Sequence, residues 1–207
     1  VQGCPWRCRY CHNPHLQPRT GPPVTDWEAV EEWLCRRSGL LDALVFSGGE
    51  PTLDPALPAA VAAARALGFR VGLHTAGIYP QRLAALLPAL DWVGLDVKAP
   101  LADTRAHAEV TGRARSNTGP AAALTALLES GVDLECRTTA HPALLTDAAL
   151  RALAASLAAA GVQRYALQLA RPAPGADLPA IAPGYPSAAT LRALAGLFAS
   201  FEFRQAG

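Results

Sequence analysis

Ala43-Leu-Val-Phe-Ser-Gly-Gly-Glu-Pro51 sets the pattern on which the rest of the chain is read. Ala43–Phe46 is wholly apolar and predicts a buried strand. A glycine pair, an acid and a proline follow as a turn, and Asp54 with Pro55 opens a helix that Gly68 stops. The same unit recurs along the chain. Upstream, Thr25 and Glu28 have capping-box spacing, and Trp27, Val30, Trp33 and Leu34 give one apolar face to a helix that stops near Gly39. Downstream come a strand at Val71–His74, a helix over Pro80–Leu90 and a strand at Trp92–Val97. A helix over Pro120–Ser130 ends at Gly131 and leads into a strand at Val132–Thr138. Thr146 caps the next helix, which Gly161 closes before a strand at Tyr165–Leu169. A proline-rich loop, a helix capped by Ser187 and a short tail strand at Phe201–Arg204 follow.

Strands alternating with helices predict right-handed βαβ units around a parallel sheet, an α/β fold. Val1-Gln2 reads as the end of a further strand, which makes six βα units and a partial (β/α)6 barrel. The 207 residues hold no low-complexity linker, so 1–207 reads as a single domain. A chain that opens Val1-Gln2-Gly3-Cys4 and contains no Met reads as lacking a preceding segment with most of that strand.

Hydrophobic residues at 51% and charged residues at 17% supply a core and argue against disorder. No apolar run is unbroken enough to span a membrane, and a net charge of +1 gives no reason to expect nucleic acid as a partner. Three of the five Cys fall at positions 4, 8 and 11, too close for a disulfide framework. Clustered thiols predict a reduced, cytoplasmic protein with a metal site. Cys35 and Cys136 read as single core thiols.

Each polar group follows the end of a strand. The cysteines follow the first, Gly48-Gly49-Glu50-Pro51 the second and His74-Thr75-Ala76-Gly77 the third. Asp96 and Lys98 end the fourth, Arg137-Thr138-Thr139 with His141 the fifth, and Gln168 with Arg171 the sixth. Such ends converge on one mouth of a parallel barrel, where active sites form. The register predicts an enzyme. Cys4, Cys8 and Cys11 can hold three corners of a metal centre, and soft sulfur selects zinc, copper(I) or an iron–sulfur cluster. Zinc would take His12 or His15 as fourth ligand, whereas a four-iron cluster on three Cys keeps one iron open.

Cys4-Pro-Trp-Arg-Cys8-Arg-Tyr-Cys11, with Tyr10 before the last Cys, resembles the radical S-adenosylmethionine (SAM) enzymes, and the likeness runs through the chain. His12-Asn13-Pro14 is similar to the glycyl-radical activating enzymes. Asp96–Pro100, Arg137–Pro142 and Gln168 with Arg171-Pro172 resemble the branch that activates anaerobic ribonucleoside-triphosphate reductase. The resemblance implies a TIM-like partial barrel of the radical SAM type, with Cys4, Cys8 and Cys11 holding a 4Fe-4S cluster whose open iron takes SAM. It implies that Gly48, Gly49, Glu50 and Pro51 bind the SAM amino group and that Asp96 and Lys98 meet its ribose or carboxylate, with an ordinary ion pair at a strand end as the alternative for the last two. Thr75 and Gly77 fall on the rim of that site, where Ala76 replaces the branch's usual Asn. Arg137 and His141 stand as further SAM contacts, with satisfied polar groups or contacts to the partner as the alternatives.

The implied reaction is reductive cleavage of SAM to a 5′-deoxyadenosyl radical, with electrons from a flavodoxin or ferredoxin-type donor. The radical then takes a hydrogen from a glycine of a glycyl-radical enzyme, for which anaerobic ribonucleotide reductase is the expected partner. Activation of a pyruvate formate-lyase type enzyme, modification of a small molecule or peptide, and a zinc-binding interaction module are the other readings.

Overall fold

The computed structural model describes residues 1–20, 25–171 and 173–205. Its centre is a sheet of six parallel strands: β1 (Ala43–Phe46), β2 (Arg70–Thr75), β3 (Trp92–Asp96), β4 (Asp133–Ala140), β5 (Arg164–Leu169) and β6 (Ser200–Arg204). Every strand pairs with the next one in the chain, so the order never reverses. That winding belongs to a barrel wall, not to a doubly wound sheet. Among the described residues β1 and β6 are the two edges of this wall.

The helices are α1 (Trp27–Cys35), α2 (Leu57–Ala66), α3 (Pro80–Leu86), α4 (Thr104–Thr111), α5 (Thr118–Ser130), α6 (Asp147–Ala159) and α7 (Ala188–Ala195). The expected caps at α6 and α7 form: Thr146 and Ser187 accept from the backbone N–H of Ala149 and Thr190. The expected capping box at α1 does not. Asp26 is the N-cap there, which leaves Glu28 one position short of the place from which it could reach back. Pro88 cannot donate to a helical carbonyl, so the helix expected to run to Leu90 becomes a 3-10 turn at Leu87–Ala89.

Seven strands are expected when Val1-Gln2 and the tail are counted, and six are present among the described residues: the tail forms β6, whereas Val1-Gln2 pairs in no strand and Val1 lies against Ser47 and Gly49 just beyond β1. Cys136 is buried as expected, whereas Cys35 is exposed at the end of α1. Trp33, expected on the apolar face of α1, is 43% exposed; Leu34 is buried and Trp27 packs against Phe46. Helix α4 lies between the expected elements.

Two faces of the strands do different work. Val71, Leu73, Val93, Leu95, Cys136 and Leu167 point out to the helices and are fully buried with Leu83, Leu127, Leu150 and Leu153. Alternate positions, His74, Asp96, Arg137, Gln168 and Arg204, line the inside of the arc. A complete barrel fills that interior with branched apolar side chains. Here the interior is polar and remains a cavity, while the hydrophobic core is the layer between strands and helices. Among the described residues no helix is long and apolar enough to cross a membrane.

His107 on α4 is fully buried, with Nδ1 2.9 Å from Ser116 Oγ. Burial first, and the charge of Lys98 second, hold its pKa down at about 4. The unfolded chain then binds the proton more readily than the folded one. Its contribution is complete above about pH 6.5 and is lost as pH falls towards 4, roughly 3 kcal/mol in all. His107→Gln should flatten the fall in urea-denaturation stability across that window.

Candidate active site

The cysteine loop is tied to the sheet through backbone contacts. Gly49 N donates to Val1 O at 3.0 Å and Glu50 N to Gly3 O at 2.8 Å. Gly48 sits at φ +146°, where a side chain is strained. A Cβ on Gly48 would run into the Val1 carbonyl, and one on Gly49 into that of Gly3. The glycine pair therefore admits the segment that carries the cysteines. From there Gly3 N and Cys4 N donate to Leu16 O and Gln17 O, which folds the loop back on itself.

Cys4, Cys8 and Cys11 are partly exposed, unpaired in any disulfide, and face one cavity of about 460 Å³. Burial raises the Cys4 thiol above its usual pKa and pushes Cys8 up to about 11, with Lys98 opposing the shift at both. Trp6 and Tyr10 are 4% and 5% exposed and form part of the lining. The Tyr10 hydroxyl is buried without a hydrogen-bond partner, and Lys98 Nζ stands 5.8 Å from its ring centre.

Opposite the thiols is a clamp of charges from β3 and β4. Lys98 Nζ lies 3.0 Å from Asp96 Oδ2, and Arg137 Nε lies 3.2 Å from Asp96 Oδ1. The second contact is close but poorly aligned, so Arg137 Nε makes an ion pair without a hydrogen bond. Burial alone would raise the Asp96 carboxyl; Lys98 and then Arg137 outweigh it and hold the pKa below its usual value. Arg137 Nη1 lies 3.1 Å from His74 Nε2, and burial together with that guanidinium lowers the His74 pKa. The imidazole is therefore neutral and accepts from Arg137.

Glu50 has a different setting from the one its motif suggests. It is 1% exposed and serves its own chain. Oε1 accepts from Thr52 N, Thr52 Oγ1 and Thr75 Oγ1 at 3.1, 2.6 and 2.6 Å; Oε2 accepts from Ala76 N at 2.9 Å. Burial raises its pKa against those bonds. Pro51 is buried in the short turn that follows, whereas Gly48, Gly49 and Thr75 line the cavity. Ala76, the residue that departs from the branch pattern, contributes its backbone N–H to Glu50. Gly77 turns at φ +67° with its N–H on Thr75 Oγ1.

His141 stands apart. It is fully buried, accepts at Nδ1 from Ala143 N and bonds at Nε2 to Pro179 O, and it does not line the cavity. Gln168, which donates to Thr139 at 2.7 Å, and Arg171 do line it. His12 Nδ1 lies 2.9 Å from Arg171 O and so joins the cysteine loop to the end of β5. Pro172, part of the branch motif, lies outside the described residues. Sequence reasoning passed over Arg204, which lines the cavity from β6 and grips Glu135 with two bonds of 3.1 Å. The alternation Phe201-Glu-Phe-Arg204 holds the signal, because Glu202 and Arg204 share one face of a strand.

The site suits a sulfur-ligated cofactor. Three free thiols are the soft donors that iron–sulfur clusters take, and an adjoining cavity with charged and backbone groups leaves room for a second ligand. Among the described residues no three His, Cys, Asp or Glu side chains gather around a single ion. A cluster asks less of them, since each thiolate meets its own iron.

The Radical SAM superfamily matches over residues 1–146, and the chain belongs to that superfamily. Over 103 residues it is 34% identical to a protein of Methanocaldococcus jannaschii provisionally named a glycyl-radical enzyme activating enzyme, covering 47% of this chain and 41% of that one. It is 33% identical over 146 residues to the PqqA peptide cyclase of Streptomyces rochei, covering 67% of this chain and 38% of the cyclase. The chain thus spans 38–41% of the length of these two relatives. Its fold matches Streptococcus suis SuiB bound to S-adenosylmethionine with a TM-score of 0.73 and 16% identity, over 100% of this chain and 48% of SuiB. It matches a domain of pyruvate-formate lyase-activating enzyme from Bacteroides vulgatus with a TM-score of 0.61 and 15% identity, over 81% of this chain and 100% of the domain. At those identities the likeness carries the fold alone.

Asp96→Asn would leave Lys98 and Arg137 facing each other without a counter-charge. With 28% of the Asp96 side chain exposed, the expected loss is about 2 kcal/mol, below the 3–5 of a fully buried pair. Urea denaturation of the single variant against wild type measures it.

Proposed function

We propose that this chain is the catalytic core of a radical SAM activase that generates a glycyl radical on a partner protein. The observation that carries the proposal is the shared cavity, which sets the three thiols of one loop against the Asp96–Lys98–Arg137 clamp at the C-terminal rim of the sheet. Superfamily membership implies SAM and a 4Fe-4S cluster, which when bound supply one-electron reductive cleavage of SAM and a 5′-deoxyadenosyl radical. Cys4, Cys8 and Cys11 hold the cluster in this reading. Gly48 and Gly49 present backbone beside them, and Lys98 and Arg137 offer cationic groups to a carboxylate. Glu50 acts from behind, by fixing Thr75 and the Ala76 N–H at the rim. The buried rings of Trp6 and Tyr10 keep water from the cysteine side.

Partner and donor follow from the resemblance. His12-Asn13-Pro14 and the relative from M. jannaschii support a glycyl-radical enzyme as substrate, with anaerobic ribonucleotide reductase as the first candidate and a flavodoxin or ferredoxin-type protein as electron donor. The cavity is lined by groups at the strand ends, so a loop of another protein can reach it from the rim. A second reading, modification of a peptide, is favoured by the longer match to the PqqA peptide cyclase.

Anaerobic reconstitution should give brown protein that forms 5′-deoxyadenosine from SAM on reduction. Cys4→Ala, Cys8→Ala and Cys11→Ala should each abolish that product, while Cys35→Ala retains it. A glycine-centred paramagnetic signal on the anaerobic reductase decides for activation, and a mass change on a precursor peptide with no such signal decides for peptide modification. Colourless protein that binds one zinc would refute both.

A further inference from the structure

Helix α4 ends against the cysteine loop. Arg7 N donates to Thr111 O at 2.8 Å and Arg9 N to Val110 O at 3.3 Å. Both carbonyls belong to the last turn of the helix, which has no helical donors for them. Arg113 Nε donates to Pro5 O at 2.9 Å, and the buried Trp6 ring meets His107 of the same helix edge-on, with centres 5.7 Å apart. Gly112 makes the approach possible. It closes α4 at φ +67°, and a Cβ there would lie 3.2 Å from Arg7 O and 3.4 Å from Arg7 Cβ. Cys8 is consequently flanked on both sides by N–H groups committed to one helix end.

Two physical effects act in the same direction. The C-terminal end of a helix carries partial negative charge, which disfavours adding an electron nearby. Hydrogen bonds to the sulfurs of an iron–sulfur cluster help to set its potential, and donors engaged elsewhere cannot make them. Three other donors of the loop are also taken, Gly3 N by Leu16 O, Cys4 N by Gln17 O and Cys11 N by Cys8 O, whereas the Trp6 N–H is directed at the Cys4 sulfur and leaves Cys8 as the ligand on which the helix end acts.

We infer that the C-terminal end of α4 lowers the reduction potential of the cluster, by placing helix carbonyls beside Cys8 and by withdrawing the Arg7 and Arg9 N–H groups from its sulfurs. The inference rests on the reading that Cys4, Cys8 and Cys11 hold that cluster. Val110, Thr111 and Gly112 act on the cluster through the loop, as positioning residues.

Gly112→Val tests it, with Gly131→Val as the matched control. Gly131 closes α5 at φ +72°, and nothing lies within 4 Å of the Cβ it would gain. Both variants suffer the same backbone strain at a helix end, and only one of them is driven off the cysteine loop. The measurement is the cluster midpoint potential in anaerobically reconstituted protein, followed by the paramagnetic signal of the reduced cluster and normalised to iron and sulfide content. Gly112→Val should show a higher potential and an altered signal, and Gly131→Val the wild-type values. Should Gly112→Val fail to fold, Gly112→Ala against Gly131→Ala repeats the comparison with a smaller shift. A fully loaded Gly112 variant at the wild-type potential overturns the inference alone. Wild-type protein that takes up no cluster overturns the reading beneath it as well.

Discussion

A backbone contact with no space for a side chain joins the cysteine loop to the sheet. Gly48 and Gly49 lie so close to the carbonyls of Val1 and Gly3 that any other residue would force the two segments apart. Two hydrogen bonds fix the register of that contact. Everything at the rim then follows from geometry: the loop starts at a defined point, folds back through Leu16 and Gln17, and turns its thiols towards the strand ends. The cost is a strained φ at Gly48, which glycine bears at little expense.

The second determinant is electrostatic. One carboxylate, Asp96, faces two cations, and the neighbouring His74 is held neutral as an acceptor for one of them. Ion pairs in such a setting contribute modestly to stability, because desolvation offsets much of the attraction. Their larger effect is positional. Lys98 and Arg137 cannot relax away from the cavity while Asp96 holds them, so a polar interior keeps its shape without apolar filling.

Much of this was legible in the sequence, and for a physical reason. Strands in a parallel sheet have a short apolar run and a punctuated end, and Ala43–Phe46 before Gly48 and Trp92–Leu95 before Asp96 show both. Thiols at positions 4, 8 and 11 need no fold to be read as candidate ligands. What escaped depends on long-range contacts. Helix α4 has eight residues of mostly polar character, and only its ends, Asp103 as N-cap and Gly112 beyond, mark it. Glu50 looks like a ligand-binding acid until Thr52, Thr75 and Ala76 are brought around it, and His141 looks like a rim residue until Pro179 covers it. The capping box failed by a single position, which spacing alone cannot distinguish.

The division between the two faces of the strands has a consequence for substitution. Stability resides in the outer layer, where Leu73, Val93, Leu95 and Leu167 pack against helices, and the polar cavity lies on the opposite side of the same strands. A substitution at Gln168 or Thr139 changes the lining of the cavity and leaves the packed layer intact. Residues of neighbouring register can thus be exchanged independently. Such an arc can be relined by inward replacements alone, with its folding energy held in reserve on the other face.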